Sequence, residues 1–394
     1  MYRYDSRAIQ PGDTFIVLPK GEAHLEEAYR KGAVSHVQMD RPALAAFADR
    51  HFGFPSQKLT VIGVTGTNGK TTVTHLVHQG LEFSGKKSRL LGTLNAPLTT
   101  PESLDIHQMM AEHVAAGGTH FVMEVSSHGI AQHRIDGIRF AIKLLTNITP
   151  DHLDFHRTFE AYQDTKLRFM AQGDGLALYP ADFTFFPVPH APHFVGAFNQ
   201  RNLQAAASIL GHLGLSSDDM SSFFLSALPP PGRFESIYAG QPTLAIVDFA
   251  HTPDGLENVL QTARELANAR GGKLWVVFGC GGDRDVTKRP VMARIATVLA
   301  DQVVITDDNP RTESPTEIVR MMMDGVTDAS RVRVIHDRRT ATEWALSEAQ
   351  PDDVVLFAGK GHETYQIYGT QKMPYNEREE VRLALERLTH AGGH

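Results

Sequence analysis

The sequence predicts an α/β protein built on parallel sheets with helices on their faces, in three domains. Three observations carry that expectation. Short β-branched and aliphatic runs alternate with helical periodicity from residue 57 onwards, the pattern of repeated βαβ units. One such run, Leu59-Thr60-Val61-Ile62-Gly63-Val64-Thr65, passes through a glycine-punctuated turn into a helical stretch with Val73, Leu76 and Val77 on one face. The stretch Pro229-Pro230-Pro231-Gly232 then separates one alternating series from the next, as a linker does.

Taken in order, residues 1–56 hold the turn Pro11-Gly12-Asp13, strands at 14–18 and 33–39, and helices at 23–31 and 41–52. This is a small α/β unit, too small to carry a reaction alone, and Pro55-Ser56 marks its boundary. Residues 57–232 form the central domain, a parallel sheet of the P-loop ATPase type with flanking helices. Its strands are expected at 61–65, 87–91, 120–125 and 140–146, and its helices after residue 70, at 104–116 and at 202–213. The segment 174–198, rich in Pro, His and Phe without clear period, is read as a connection or an edge hairpin. Residues 233–394 form a Rossmann-like, doubly wound domain. Strands at 244–249, 273–278, 302–306, 332–335 and 354–357 alternate there with helices at 255–269, 290–300, 315–324 and 338–348.

Composition narrows the function classes. In 394 residues, 42% are hydrophobic and 21% charged, as in an ordinary globular protein. A net charge of −7 lacks the basic footprint of a nucleic-acid-binding surface. The one cysteine, Cys280, forbids an internal disulfide and fits a reducing, cytoplasmic setting. In Phe278-Gly279-Cys280-Gly281-Gly282 it ends a strand and is read as a small buried residue. No apolar run approaches the ~18 residues of a membrane helix, so no membrane partner is expected.

The chemistry begins at Gly66-Thr67-Asn68-Gly69-Lys70-Thr71-Thr72. Between strand and helix, such a loop wraps backbone N–H groups round a phosphate, and the helix N-terminus adds partial positive charge. The lysine reaches the terminal phosphates, and the hydroxyl after it suits Mg²⁺. Val64 stands where the strict P-loop pattern has its first glycine, so the tighter variant is what remains. Glu124 ends an apolar strand before Val125-Ser126-Ser127-His128 and suits Mg²⁺ shared with Thr71; the alternative is a helix cap. Asn147 leads into Asp151-His152-Leu153-Asp154-Phe155-His156, where two His and two Asp in six residues read as metal ligands or a proton relay. By spacing alone, Lys166 on its helix is a solvated lysine. Farther on, four strands end in clustered polar residues: Asp248-Phe249-Ala250-His251, Gly281-Gly282-Asp283-Arg284, Asp307-Asp308-Asn309-Pro310-Arg311 and Gly359-Lys360-Gly361-His362-Glu363. Arg284 and Arg311 supply guanidinium forks for carboxylates and Glu363 a carboxylate for an ammonium, which together fit an amino acid.

These motifs, with Thr99-Thr100-Pro101 and Gly232-Arg233-Phe234-Glu235, resemble the Mur ligases over the whole chain, in particular the branch that adds the third residue of the peptidoglycan peptide. The resemblance implies an ATP-dependent ligase that activates a carboxylate as an acyl phosphate and joins it to an amino acid. Lys70, Glu124, His152 and Lys166 would be the catalytic set. Thr71 and Glu124 would hold one Mg²⁺, and His152 and a carbamylated Lys166 a second. Gly66, Thr67, Asn68, Gly69, Lys70, Thr71, Thr72, Asn147, Arg233, Asp248 and His251 would bind ATP. Ser6, Thr99, Thr100, Ser126, Gln132 and Arg134 would bind the acceptor, UDP-N-acetylmuramoyl-L-alanyl-D-glutamate. Arg284, Asp308, Asn309, Arg311, Gly359 and Glu363 would bind the amino acid, and Asp-Asn-Pro-Arg is the pattern associated with meso-diaminopimelate. The implied partners are small-molecule substrates, and the implied state is a monomer. Three departures stand out. The chain is short for the family, both within residues 1–56 and between Gln172 and Gly196, and Phe249 replaces the usual tyrosine. A ligase acting on a smaller acceptor without UDP is therefore the competing expectation. A folate polyglutamate ligase fits the Asp-Asn-Pro-Arg and Ser-Ser-His motifs less well. A catalytically silent nucleotide-binding protein fits poorly with the retention of Lys70, Glu124, His152 and Lys166 together.

Overall fold

A computed structural model describes residues 1–185 and 190–391, without side chains at 184, 185 and 391. The chain falls into two units. One comprises residues 1–66, 81–145 and 164–179; the other comprises residues 67–80, 146–163 and 180 onwards.

The first unit opens with strands β1 (Tyr2–Arg3), β2 (Thr14–Val17) and β3 (Ser35–Gln38), parallel in that order, and helices α1 (Leu25–Arg30) and α2 (Arg41–His51). Period-two alternation divides β2 between two cores. Phe15 and Val17 pack with Ile9, Ala28 and Ala33, while Ile16 packs with Leu44, Ala48 and Leu104. Helix α2 begins where Asp40 accepts a hydrogen bond from the Ala43 N–H and Pro42 lies in the first turn, where its missing N–H costs nothing.

Next in the chain come β4 (Thr60–Thr65), α3 (Lys70–Phe83), β5 (Ser88–Leu91), α4 (Ser103–Ala115), β6 (His120–Glu124), α5 (Ser127–Ala131), β7 (Ile142–Leu145), α6 (Leu153–His156), α7 (Phe159–Ala171) and β8 (Leu176–Leu178). Among the described residues the five strands pair in the order β5-β6-β4-β7-β8, all parallel. Val61, Ile62 and Val64 of central β4 have no exposed surface, as expected of a strand covered on both faces. Gly63 is required there: a Cβ would lie 2.6 Å from Phe140 Cε1 and 2.8 Å from Phe169 Cζ.

The second unit continues with α8 (Ala197–His212), α9 (Ser217–Ser226), β9 (Glu235–Ile237), β10 (Leu244–Asp248), α10 (Pro253–Arg270), β11 (Leu274–Phe278), α11 (Lys288–Leu299), β12 (Gln302–Ile305), α12 (Pro315–Met323), β13 (Val332–Val334), α13 (Arg338–Glu348), β14 (Val354–Ala358), the hairpin β15 (Tyr365–Tyr368) and β16 (Gln371–Pro374), and α14 (Glu377–Ala391). Its main sheet runs β13-β12-β11-β14-β10-β9, parallel except for edge strand β9. Both faces are buried. Leu274, Val276 and Phe278 face one core, and Trp275 and Val277 the other.

The α/β class and the parallel sheets agree with the sequence expectation. Four local readings need correction. The segment around 176 is no hairpin, because β8 adds to β7 in parallel; residues 186–189 of that stretch lie outside the described residues. Helix α8 starts at Ala197 rather than 202, directly after Gly196 at φ +91°. The helix expected at 23–31 is a 3₁₀ turn, Glu22–His24, followed by α1. Strand β9, helices α9 and α14 and the hairpin β15–β16 were not anticipated.

Candidate active site

The phosphate loop is shaped by its own unit. Thr67 N–H donates to the Asn147 carbonyl at 2.9 Å, and Asn68 N–H to Asn147 Oδ1 at 3.0 Å. The Thr67 hydroxyl donates to the Thr149 carbonyl at 3.0 Å and lies 2.9 Å from Tyr162 Oη. Asn68 Nδ2 reaches Asp254 at 2.7 Å. Gly69 takes φ +86°, and a Cβ there would meet Asn202 Oδ1 at 2.4 Å, so only glycine fits. Lys70 Nζ reaches back to the Thr67 carbonyl at 3.0 Å, across the mouth of the loop, and Arg233 Nη2 donates to Thr71 Oγ1 at 3.1 Å.

Around this loop the second unit places much of the expected nucleotide set. The Arg233 guanidinium lies 4.4 Å over the Phe249 ring, which also contacts the rings of His251 and His362. Phenylalanine supplies that face without the hydroxyl a tyrosine would add. Asp248 accepts from Phe234 N–H at 2.7 Å and Ala250 N–H at 2.6 Å. Burial raises its pKa against the pull of Arg233, and both oxygens serve the backbone, so this residue shapes its loop. Burial likewise lowers the pKa of His251, with Lys288 adding to the effect. Burial alone would raise Asp151, but the charges of His152, His251 and Lys288 bring it below the ordinary carboxylate range. His152, at φ +56°, starts α6 with its ring Nε2 3.4 Å from Asp151.

The first unit holds the other expected residues. Glu124, at the end of β6, is 2% exposed, and its Oε1 accepts from Thr93 N–H at 2.8 Å. Lys166, read from spacing as solvated, is 1% exposed and donates to the Gly66 carbonyl at 2.9 Å. The Thr100 hydroxyl bridges the Glu124 carbonyl and Ser126 N–H, and Ser126 Oγ caps α5. Arg134 donates to the Thr100 carbonyl at 2.8 Å and to Gln132 Oε1 at 2.6 Å, and pairs with Glu102. Thr99, 3.0 Å from Thr93, completes a connected group of expected acceptor residues. Ser6 stands outside it and donates to Glu27 of α1 at 2.7 Å; directly after β1, Tyr4 donates a hydrogen bond to Asp105 of α4.

The loops after β12 and β14 form one polar pocket. Asn309 Nδ2 donates to Glu363 Oε2 at 3.1 Å, and Asn309 Oδ1 accepts from Ile367 N–H on β15 at 2.9 Å. Arg311, at φ +53°, donates to the Gly282 carbonyl at 2.7 Å. Burial lowers its pKa, and the neighbouring Arg284 guanidinium lowers it further, while the carboxylates of Asp308, Glu363 and Asp283 pull the other way. Gly359 lets β14 pass Asp308: a Cβ there would sit 2.7 Å from Asp308 Oδ2. Cys280 is buried, its thiol pushed up to about 12 by burial, which agrees with a structural residue rather than a nucleophile.

Among the described residues no group of three or more His, Cys, Asp or Glu is disposed to hold a metal ion. Thr71 in the second unit and Glu124 in the first are each oxygen donors, the ligand type that a hard cation takes. Sequence reasoning missed Thr93 and Tyr162, although Tyr162 stands four residues before Lys166, on the same helical face.

Two family models match this chain: the Mur ligase middle domain at residues 64–187, and the Mur ligase, glutamate ligase domain at residues 232–361. The UDP-N-acetylmuramoyl-L-alanyl-D-glutamate–2,6-diaminopimelate ligase of Synechococcus elongatus is 39% identical, over 97% of this chain and 93% of its own length. The chain belongs to the Mur ligase family. The ligase of the same name from Geobacillus kaustophilus is 36% identical over 97% of this chain and 94% of its own. A solved structure of a UDP-N-acetylmuramoyl-L-alanyl-D-glutamate–2,6-diaminopimelate ligase matches at TM-score 0.61 and 30% identity, over 99% of this chain and 95% of its own. The Mur ligase MurF of Thermotoga maritima, solved with ADP, shares the fold at TM-score 0.67 and 15% identity. The Synechococcus alignment spans 464 positions against 394 residues here, so at least 70 positions of that Mur ligase have no counterpart in this one.

Proposed function

We propose that this chain is an ATP-dependent amide-bond ligase that joins meso-diaminopimelate to UDP-N-acetylmuramoyl-L-alanyl-D-glutamate in peptidoglycan synthesis. The observation that carries the reading is the pocket of the second unit, where Arg284 and Arg311 accompany a fixed Asn309–Glu363 pair. A carboxylate fits the guanidinium forks and an ammonium fits Glu363, the two groups at the distal end of diaminopimelate.

In the proposed reaction an acceptor carboxylate oxygen attacks the γ-phosphorus of ATP, and ADP leaves. The amine then attacks the acyl carbon, loses a proton, and phosphate departs as the amide forms. Lys70 stabilises charge on the transferring phosphoryl group, as a phosphate-loop lysine does. Asn147 and Thr67 hold the loop open, Arg233 and the Phe249 face bind the nucleotide, and His251 lines that region. Thr99, Thr100, Ser126, Gln132 and Arg134 receive the acceptor, with Ser6 on the smaller sheet. Thr71 and Glu124 offer oxygen ligands for one Mg²⁺, and His152 and Lys166 serve a second. As an unmodified amine Lys166 is a donor; carbamylation would convert it to an oxygen ligand. Bound Mg²⁺ supplies charge neutralisation on the phosphates. On this reading residues 1–56 recognise the acceptor, 57–232 bind ATP and 233–394 bind the amino acid, in a cytoplasmic monomer.

A second reading, a ligase of this kind acting on a smaller carboxylate acceptor without UDP, is favoured by the 70 or more positions this chain lacks. Phosphate release from ATP is measured with Mg²⁺ and meso-diaminopimelate, with and without UDP-N-acetylmuramoyl-L-alanyl-D-glutamate. Release that needs both, with a product heavier by one diaminopimelate residue, supports the first reading. Binding of ADP and diaminopimelate without turnover selects the second, and binding of neither refutes both.

A further inference from the structure

Lys360 has no exposed surface, yet it carries a cationic side chain in a loop of glycines. Gly359 and Gly361 on either side take φ +111° and +50°. A Cβ at Gly361 would lie 2.6 Å from Phe249 Cβ and 2.8 Å from the Gly232 carbonyl oxygen. The backbone is therefore fixed by residues that only glycine can replace, and the one side chain of the Gly-Lys-Gly turn is directed inward. Lys360 Nζ donates to Glu363 Oε2 at 2.7 Å and to Asn309 Oδ1 at 3.0 Å. Asn309 Nδ2 closes a triangle on the same Oε2 at 3.1 Å. Because Asn309 Oδ1 already accepts from Lys360 and from Ile367 N–H, its amide can turn only its NH₂ toward Glu363.

We propose that Lys360 is a positioning residue for the amino-acid pocket: it holds one oxygen of Glu363, keeps that carboxylate off Arg311, and so presents the other oxygen to the distal ammonium of the incoming amino acid. The inference rests on the amino-acid reading of the pocket given above. Oε1 makes no hydrogen bond among the described residues, and the Glu363 side chain keeps 19% exposure, so the open oxygen is the one a substrate can reach. An alternative partner for Glu363 is Arg311, whose guanidinium feels its charge. Were Glu363 to pair with Arg311, the pocket would lose its ammonium acceptor and its carboxylate donor in one movement. A buried ammonium on Oε2 prevents this while leaving Arg311 and Arg284 available for a carboxylate. The pocket then prefers a distal centre bearing both charges over one bearing a carboxylate alone.

The test compares meso-diaminopimelate with 2-aminopimelate, which lacks only the distal ammonium, for the wild type, Lys360→Met and Glu363→Gln. Charged hydrogen bonds of this kind typically correspond to about tenfold or more in affinity. Lys360→Met is expected to raise KM for diaminopimelate at least about tenfold and to lower the preference for diaminopimelate over 2-aminopimelate by about the same factor. Its kcat and its KM for ATP should stay within about threefold of wild type, a split that loss of general structure would not give. An unchanged preference in Lys360→Met, with KM for both amino acids and for ATP rising together, overturns the inference. If Lys360→Met does not fold, Lys360→Met/Glu363→Gln, which removes the carboxylate that has lost its ammonium partner, is compared with Glu363→Gln alone. Equal kcat/KM values then support the positioning role, and a further drop beyond about threefold refutes it. A wild type that ligates neither amino acid, or prefers neither, refutes the reading of the pocket itself, an outcome distinct from a failure confined to Lys360.

Discussion

Replacing Arg338 with methionine should destabilise the second unit by about 3–5 kcal/mol, the usual cost of stranding one member of a buried ion pair. The guanidinium has no exposed surface. Its Nε donates to Glu377 Oε2 at 2.8 Å, its Nη2 donates to the same oxygen and to the Ala358 carbonyl at 2.8 Å, and its Nη1 lies 3.4 Å from the Asp307 carbonyl. Glu377 is equally buried, and its other oxygen accepts from Tyr375 Oη at 2.7 Å. In Arg338→Met that carboxylate keeps the neutral hydroxyls of Tyr375 and Thr342 but loses its counter-charge. In the double variant Arg338→Met/Glu377→Leu no charge remains, and the residual loss is the few hydrogen bonds to Tyr375, Ala358 and Asp307, about 1–2 kcal/mol. The double variant should thus be more stable than Arg338→Met by about 2 kcal/mol, a coupling well above additivity error. The chain's two tryptophans, Trp275 and Trp344, lie in this unit with ring centroids 5.8 Å apart, so urea unfolding followed by their fluorescence reads it directly. A loss below about 1 kcal/mol in the single variant, or simple additivity in the double, would show that the pair contributes little.

Three further outcomes follow from the geometry. Gly63→Ala drives a methyl into the Phe140 and Phe169 rings and should cost about 1–3 kcal/mol, read as faster hydrogen exchange in β4 and β6; wild-type protection would contradict the packing described. His75 on α3 has its pKa lowered to about 4 by burial, with His78 adding to the effect. The unfolded chain therefore binds more protons than the folded one between about pH 6.5 and 4, so stability is lost as pH falls through that window. With allowance for partial solvent screening the loss is about 2 kcal/mol, and His75→Gln should flatten the pH dependence of the urea midpoint there; an unchanged slope assigns the effect elsewhere. If Lys166 acts as a carbamate, Lys166→Ala should lose activity and regain part of it with added short-chain carboxylic acids, whereas full activity without them excludes that role.

What the sequence made legible was what local patterning controls. Strands β4, β6, β10, β11 and β14 are largely apolar runs because both faces are covered, and the glycines of the phosphate loop announce the turn they permit. The C-terminal pocket was legible as polar residues clustered after successive strands. Long-range environment was not. Lys166 read as a solvated lysine from spacing, and Lys360 stood out only as a member of a polar cluster, yet the fold gives one a backbone carbonyl and the other a carboxylate and an amide. Edge strands β8 and β9 have three residues each, too few to show a period, and exist because a longer neighbour offers them a ladder. Helix α14 does carry Val381, Ala384 and Leu385 at helical spacing, but four glutamates in its fifteen residues obscure the stripe.

The order of the C-terminal sheet also bears on how the chain is made. Strand β14 lies between β10 and β11, although it is synthesised after β11, β12 and β13. At a translation rate of about 5–20 residues per second, roughly 4–15 s separate the emergence of β11 from that of β14. During that interval β10 and β11 each present an unsatisfied ladder edge, the kind of surface on which a nascent chain mispairs or engages a chaperone. Lys360 and Glu363 emerge later still, so the polar cluster they form with Asn309 is completed only when the sheet closes. A chain that stops before residue 354 lacks the middle of this sheet rather than its margin, and the expected product of such a truncation is a target for proteolysis rather than a weakened enzyme.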